Sequence, residues 1–216
     1  MGNTSNLSYF KGTDTPELIN ETIGQRLAKT VQAFPERDAL VVRHQGIRWT
    51  YAQYAAEIEK LATGLLALGI GKGDRVGIWA PNCYEWCLTQ FATARIGAIL
   101  VNVNPAYRVF ELEYALNKSG CSAIITAEAF KSSRYVEMLQ ELAPELADCE
   151  PGALESSTLP QLKTVIRMGE EKTAGRFTFD HVCALGGEPE RAQLAKSEAG
   201  LSPQDIINSQ FTSGTT

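Results

Sequence analysis

The chain has 216 residues, 44% of them hydrophobic and 21% charged, with a formal net charge of −5. These proportions exclude a disordered chain, a collagen and a coiled coil, and the acidic balance offers no basic footprint for nucleic acid or an anionic membrane surface. A chain this long buries enough surface to build a core without disulfide staples. The longest stretch without a charged residue, 96–107, contains two asparagines and a proline, and a bilayer needs roughly 18 or more apolar residues. The N-terminus lacks the basic start and apolar run of a secretory signal. The five cysteines are odd in number and widely spaced, which predicts reduced thiols and a cytoplasmic location.

Taken in chain order, residues 1–16 are polar and patternless, and the expectation is an extended or disordered N-terminus ahead of one α/β unit over 17–216. Ile23, Leu27, Val31 and Phe34 have helical spacing, and Pro35 ends that helix. A strand over 39–43, a turn at Gln45-Gly46 and a short strand through Trp49 follow. Thr50 with Gln53 forms a capping box for a helix whose face carries Tyr54, Ile58, Leu61, Leu65 and Leu68. That helix stops at Gly69.

The pattern then changes to βα units. Apolar strands are expected over 75–80, 98–103 and 122–127, one about every two dozen residues, with helices after the first two up to Arg95 or Ile96 and over 109–119. Asn82 with Glu85 is the expected cap of the first of these helices. A helix over 129–142, a surface excursion over 144–160, a fourth strand over 165–168, a polar and partly helical stretch over 186–203 and a fifth strand over 206–211 complete the reading. Non-alternating strands separated by helices predict an α/β fold, a mostly parallel sheet with helices on both faces.

Several motifs dissolve on inspection. Gly69-Ile70-Gly71-Lys72-Gly73-Asp74 has Asp where a dinucleotide fingerprint needs Gly and Gly where a P-loop needs Ser or Thr, and it precedes a strand. It is a helix end and a turn. Cys83 and Cys87 have no further cysteine or histidine cluster to complete a metal site, so no metal ligand is assigned. Trp49, Trp79, Trp86 and Phe91 lack the basic neighbours of a base-stacking platform and are expected in the core. His44, beside the hairpin turn, is expected to be solvated.

The sharp feature is the C-terminal run Thr212-Ser213-Gly214-Thr215-Thr216, in which a buried strand leads into a glycine among four hydroxyl residues. Glycine lets backbone N–H groups approach an anion, and each hydroxyl adds a donor without bulk. The carboxyl edge of a strand is also where open α/β sheets bind ligands.

At these residues the chain resembles the adenylate-forming, AMP-binding superfamily of acyl-CoA synthetases. The run 212–216 looks like the first half of that family's phosphate loop. Trp49-Thr50-Tyr51, Gly73-Asp74-Arg75-Val76-Gly77-Ile78, Pro81-Asn82, Gly97-Ala98, Val103-Asn104-Pro105 and Glu111-Leu112-Glu113-Tyr114-Ala115-Leu116 fall in the family's order, and the Asn-Pro-Ala-Tyr-Arg run is similar to medium- and long-chain fatty acid–CoA ligases. The resemblance implies the N-terminal subdomain of the acyl-CoA synthetase-like fold. It implies attack of a fatty acid carboxylate on ATP to give acyl-AMP and pyrophosphate, then transfer to CoA, with Mg²⁺ as the metal. Thr212, Ser213, Gly214, Thr215 and Thr216 would hold the phosphates. No catalytic acid, base or nucleophile is assigned, because the family's loop lysine and later elements have no counterpart here. The expectation is therefore a segment of an acid–thiol ligase that folds without turning over ATP alone. The competing readings are a non-catalytic binding or regulatory module and an unrelated nucleotide-binding α/β domain. A second copy of the chain is a candidate partner.

Overall fold

The computed structural model describes residues 15–212 together with Ser8, Gly12 and Thr13. The elements run α1 (Ile23–Ala33), β1 (Asp38–Val42), β2 (Ile47–Thr50), α2 (Tyr51–Ala67), β3 (Arg75–Trp79), α3 (Tyr84–Ile96), β4 (Ile99–Asn102), α4 (Val109–Ser119), β5 (Ala123–Thr126), β6 (Ala129–Phe130), β7 (Ser133–Arg134), α5 (Tyr135–Leu142), β8 (Thr164–Arg167), β9 (Phe177–Thr178), α6 (Phe179–Leu185), α7 (Glu188–Ala199) and β10 (Asn208–Gln210). Six strands form one parallel sheet in the order β10-β4-β3-β5-β8-β9. β1 and β2 form a separate antiparallel hairpin.

Strand residues alternate between two cores. Val76, Ile78, Leu100, Ala123, Ile125 and Ile166 face a layer containing α2, α3, α6 and α7. Trp79, Val101, Ile124 and Val165 face α4 and α5. Both faces are apolar because both are covered, which is why the strands show no polar alternation. α2 is the centre of the first layer, packed on α3, α6 and α7. Its approach to α6 requires Gly64, where a Cβ would stand 1.9 Å from the Val182 carbonyl oxygen. The capping box at Thr50 and Gln53 is present, and a second joins Thr22 and Gln25 at the start of α1.

Four local expectations are corrected. The segment 129–142 is a β6–β7 hairpin followed by a shorter helix, α5, because Lys131 adopts a left-handed turn (φ 53°) that no helix continues through. The segment 144–160 is not a surface excursion, since Leu146, Leu154 and Leu159 are buried in the second core. β10 spans 208–210 only, leaving Ile206 exposed ahead of it. Asn82 does not cap α3; the N-cap position is Cys83, and its side chain makes no capping bond. The N-terminal stretch 1–16, expected to be extended or disordered, lies mostly outside the described residues. Among the described residues no helix is long and apolar enough to cross a membrane.

Candidate functional site

The chain leaves β3 toward α3 on one face of the sheet and leaves β4 toward α4 on the other. Adjacent parallel strands whose connections diverge open a crevice at their carboxyl ends, the usual ligand position in such sheets. β10 lies on the far side of β4, with Asn208, Ser209 and Gln210 in register with Leu100, Val101 and Asn102. The crevice is lined by Trp86 of α3, by residues 102–105, and by Gln210 with Phe211 at the end of β10. Among the described residues no carboxylate lines it.

Its floor is braced from below. The Trp79 and Tyr135 rings stack with centroids 3.8 Å apart. Trp79 Nε1–H donates to the Asn104 carbonyl at 3.1 Å, and the Tyr135 hydroxyl donates to the Pro105 carbonyl at 2.6 Å. Burial pushes the Tyr135 hydroxyl up to about 12, so it remains a donor at neutral pH. The Asn104 side chain accepts from the Ala106 N–H at 2.9 Å, closing the turn that follows β4. Two residues buried in the core thus hold two consecutive carbonyls of the crevice loop.

The N-terminus of α3 also reaches this edge, and it is filled by the protein itself. Gln45, in the turn of the β1–β2 hairpin, accepts from the Tyr84 N–H through Oε1 at 2.8 Å and donates through Nε2 to the Glu85 carboxylate at 2.9 Å. A buried carboxylate in the first helical turn already answers the helix dipole.

Of the sequence-predicted site residues, Thr212 is exposed and directly follows Phe211 beyond β10. Ser213, Gly214, Thr215 and Thr216 lie outside the described residues. Sequence reasoning missed Asn102 and Trp86. Asn102 carries a visible signal, a polar residue closing an apolar strand. Its Oδ1 is buried and has no hydrogen-bond partner among the described residues. Trp79 is in the core as expected, whereas Trp86 is half-buried at the crevice. His44 is exposed.

A family model described as AMP-binding enzyme matches residues 27–216. The chain belongs to the AMP-binding enzyme family. It is 47% identical over 211 residues to the mouse medium-chain acyl-CoA ligase ACSF2, covering 97% of this chain and 34% of that protein. It is 42% identical over 200 residues to the putative acyl-CoA synthetase YngI of Bacillus subtilis, covering 93% and 36%. In fold it matches the anthranilate CoA ligase AuaEII with a TM-score of 0.75 at 19% identity, over 95% of this chain and 35% of that one. The chain thus spans about a third of the length of the relatives it matches, and it is homologous to the N-terminal part of acyl-CoA ligases. The expected cytoplasmic location is overturned. The mouse relative is named as mitochondrial, as are its rat and human counterparts. Reduced thiols do not separate the two compartments, because both are reducing relative to the secretory route.

Proposed function

We propose that this chain forms the phosphate-handling edge of an ATP-dependent ligase that joins a medium- or long-chain fatty acid to CoA. The observation that carries the reading is the position of β10. Its carboxyl end opens into the crevice beside β4, and the hydroxyl-rich run 212–216 continues from there.

The donor chemistry fits a polyphosphate. The crevice presents amides, an indole and backbone groups, and among the described residues no carboxylate to repel the anion. Donors already aimed at the place where negative charge develops are the most effective form of transition-state stabilisation. The orphaned Asn102 Oδ1 is an acceptor, so its role is toward protein and not phosphate. Within this reading, Thr212, Ser213, Gly214, Thr215 and Thr216 bind the phosphates. The Trp79–Tyr135 pair positions the opposite wall.

The fit does not extend to Mg²⁺. Among the described residues no group of three His, Cys, Asp or Glu side chains is placed to hold a metal ion. CoA enters through the family likeness and the relatives' names. The expected inactivity of the 216-residue chain alone belongs to this reading, as does its description as an N-terminal α/β subdomain over 17–216.

The test begins with the coding sequence beyond Thr216. Continuation into Gly-x-Pro-Lys-Gly and a long open frame is expected. The encoded protein should then release pyrophosphate from ATP in a fatty-acid-dependent manner, and alanine at Thr212 and Thr215 together should suppress that release by at least about tenfold, the scale of losing one charge-assisted contact. Pyrophosphate release by the 216-residue chain alone, or indifference of the longer protein to the two substitutions, would overturn the reading.

A further inference from the structure

α4 carries two stripes of side chains, and only one of them serves the core. Leu112, Ala115 and Leu116 are buried beneath the helix. Phe110, Glu113, Tyr114, Asn117 and Lys118 line a shallow hollow on its other face, and no part of the reaction above uses them. Phe110 is 79% exposed and Tyr114 is 47% exposed. Single apolar side chains on a surface are ordinary, but two aromatics one helical turn apart stand side by side and form a continuous apolar face. Aromatic side chains are also the type most enriched where proteins meet one another.

The polar residues of this face say what can cover it. Asn117 is tied to its own chain, its Nδ2 donating to the Thr158 carbonyl at 3.0 Å. Glu113 and Lys118 form no ion pair among the described residues. They are five positions apart, so with 3.6 residues per turn they stand on opposite flanks of the aromatic pair and do not neutralise each other directly. The face is neutral in sum, on a chain whose net charge is −5. A strongly acidic or basic partner has nothing here to select it. A copy of the same face brings a lysine for the glutamate and a glutamate for the lysine.

We propose that this face of α4 is a self-association surface and that its occupant is a second copy of this chain. In a two-fold contact one patch serves both partners, so it must be complementary to itself. An antiparallel mate would set the two Glu113 carboxylates against each other. A mate whose α4 crosses at a steep angle sets each Glu113 beside the partner's Lys118 and each Phe110 against the partner's Tyr114. The aromatic pairs supply the buried apolar area, and the two ion pairs fix the register and exclude other partners. Five lining residues a side fall well short of the roughly 20–30 of a standard interface, so the association is weak and reversible.

The test is sedimentation equilibrium of the 216-residue chain over roughly 20–500 μM, the span in which a weak contact of this kind is populated. A monomer–dimer equilibrium is expected. Phe110→Ser should weaken it about tenfold, a moderate loss for an aromatic at the centre of an interface. Glu113→Lys and Lys118→Glu should each weaken self-association about tenfold, because each sets like charges together. Mixed in equal amounts, these two variants should recover the parent's affinity to within about threefold, since the mixture restores opposite charges on both flanks. That recovery also shows that both variants are folded. A chain that stays monomeric over the whole span, a dimer indifferent to Phe110→Ser, or a mixture no tighter than either variant alone would each overturn the proposal. A monomer that binds phosphatidylcholine vesicles through Phe110 would overturn it in favour of a lipid surface.

Discussion

The side-chain amide of Gln45 closes the N-terminus of α3 across 39 positions of sequence, accepting from Tyr84 N–H while donating to Glu85. The cap of a central helix is thereby supplied by a peripheral hairpin. Gln45→Ala removes both bonds and leaves a buried carboxylate with one donor fewer. A loss of about 1–2 kcal/mol is expected, within the range for helix caps. Gln45→Glu should cost more, since it faces Glu85 with like charge. Urea denaturation of the two variants gives the order, and a more stable Q45E than Q45A would contradict it.

Gly64 and Gly24 offer a paired test of packing against propensity. Both lie in helices, where Ala is favoured over Gly by about 1 kcal/mol. A Cβ at Gly24 would meet nothing closer than Arg95 Cγ at 3.4 Å, an ordinary contact. A Cβ at Gly64 would stand 1.9 Å from backbone oxygen of Val182, and α6 would have to move. Gly24→Ala should therefore raise the thermal midpoint slightly. Gly64→Ala should destabilise by about 3 kcal/mol, the upper range for overpacking.

How much of this was legible beforehand follows from where the signal resides. The strands β3, β4 and β5 and the helices between them are long apolar or periodic runs, so local pattern and tertiary burial agree. The Thr50–Gln53 cap is equally local. β9 and α6 escaped because β9 has two residues and α6 buries only Phe179 and Val182, too few for a period. The burial of Leu146, Leu154 and Leu159 escaped because the segment has no regular repeat. At the site, the hydroxyl run after β10 was readable as chemistry. Asn102, Trp86 and the Gln45 bridge were not, since each acquires its role from a strand neighbour or a hairpin distant in sequence.

The brace beneath the crevice loop predicts a local effect. Tyr135→Phe keeps the ring that stacks on Trp79 but removes the donor to the Pro105 carbonyl. The expected loss is about 1 kcal/mol, that of one buried hydrogen bond. Amide exchange should quicken at Ala106 and Tyr107, whose N–H groups bond to Asn104, while the β3 amides stay protected. Uniform loss of protection across the sheet would mean that the hydroxyl serves the whole fold and not the loop.

Alkaline pH should weaken the fold through its buried thiols and phenols. The ordinary thiol value is 9.0, and burial raises Cys121 to about 11 and Cys83 and Cys183 to about 12. Tyr54 and Tyr84 are raised further, and Tyr135 to about 12. A group whose folded pKa lies above its unfolded value contributes stability that is complete below the unfolded value and is lost as pH rises through the folded one. The unfolded thiols ionise first, so the folded state binds more protons between about pH 9 and 11, and each such group withdraws up to about 1.4 kcal/mol of stability per pH unit there. Urea midpoints should hold between pH 7 and 8.5 and then fall steeply. Cys121→Ala should lower stability at pH 7 through the small cavity it leaves, yet show a shallower decline above pH 9. If the variant and the parent decline with equal slope, Cys121 ionises alike in both states, and its burial does not oppose the thiolate.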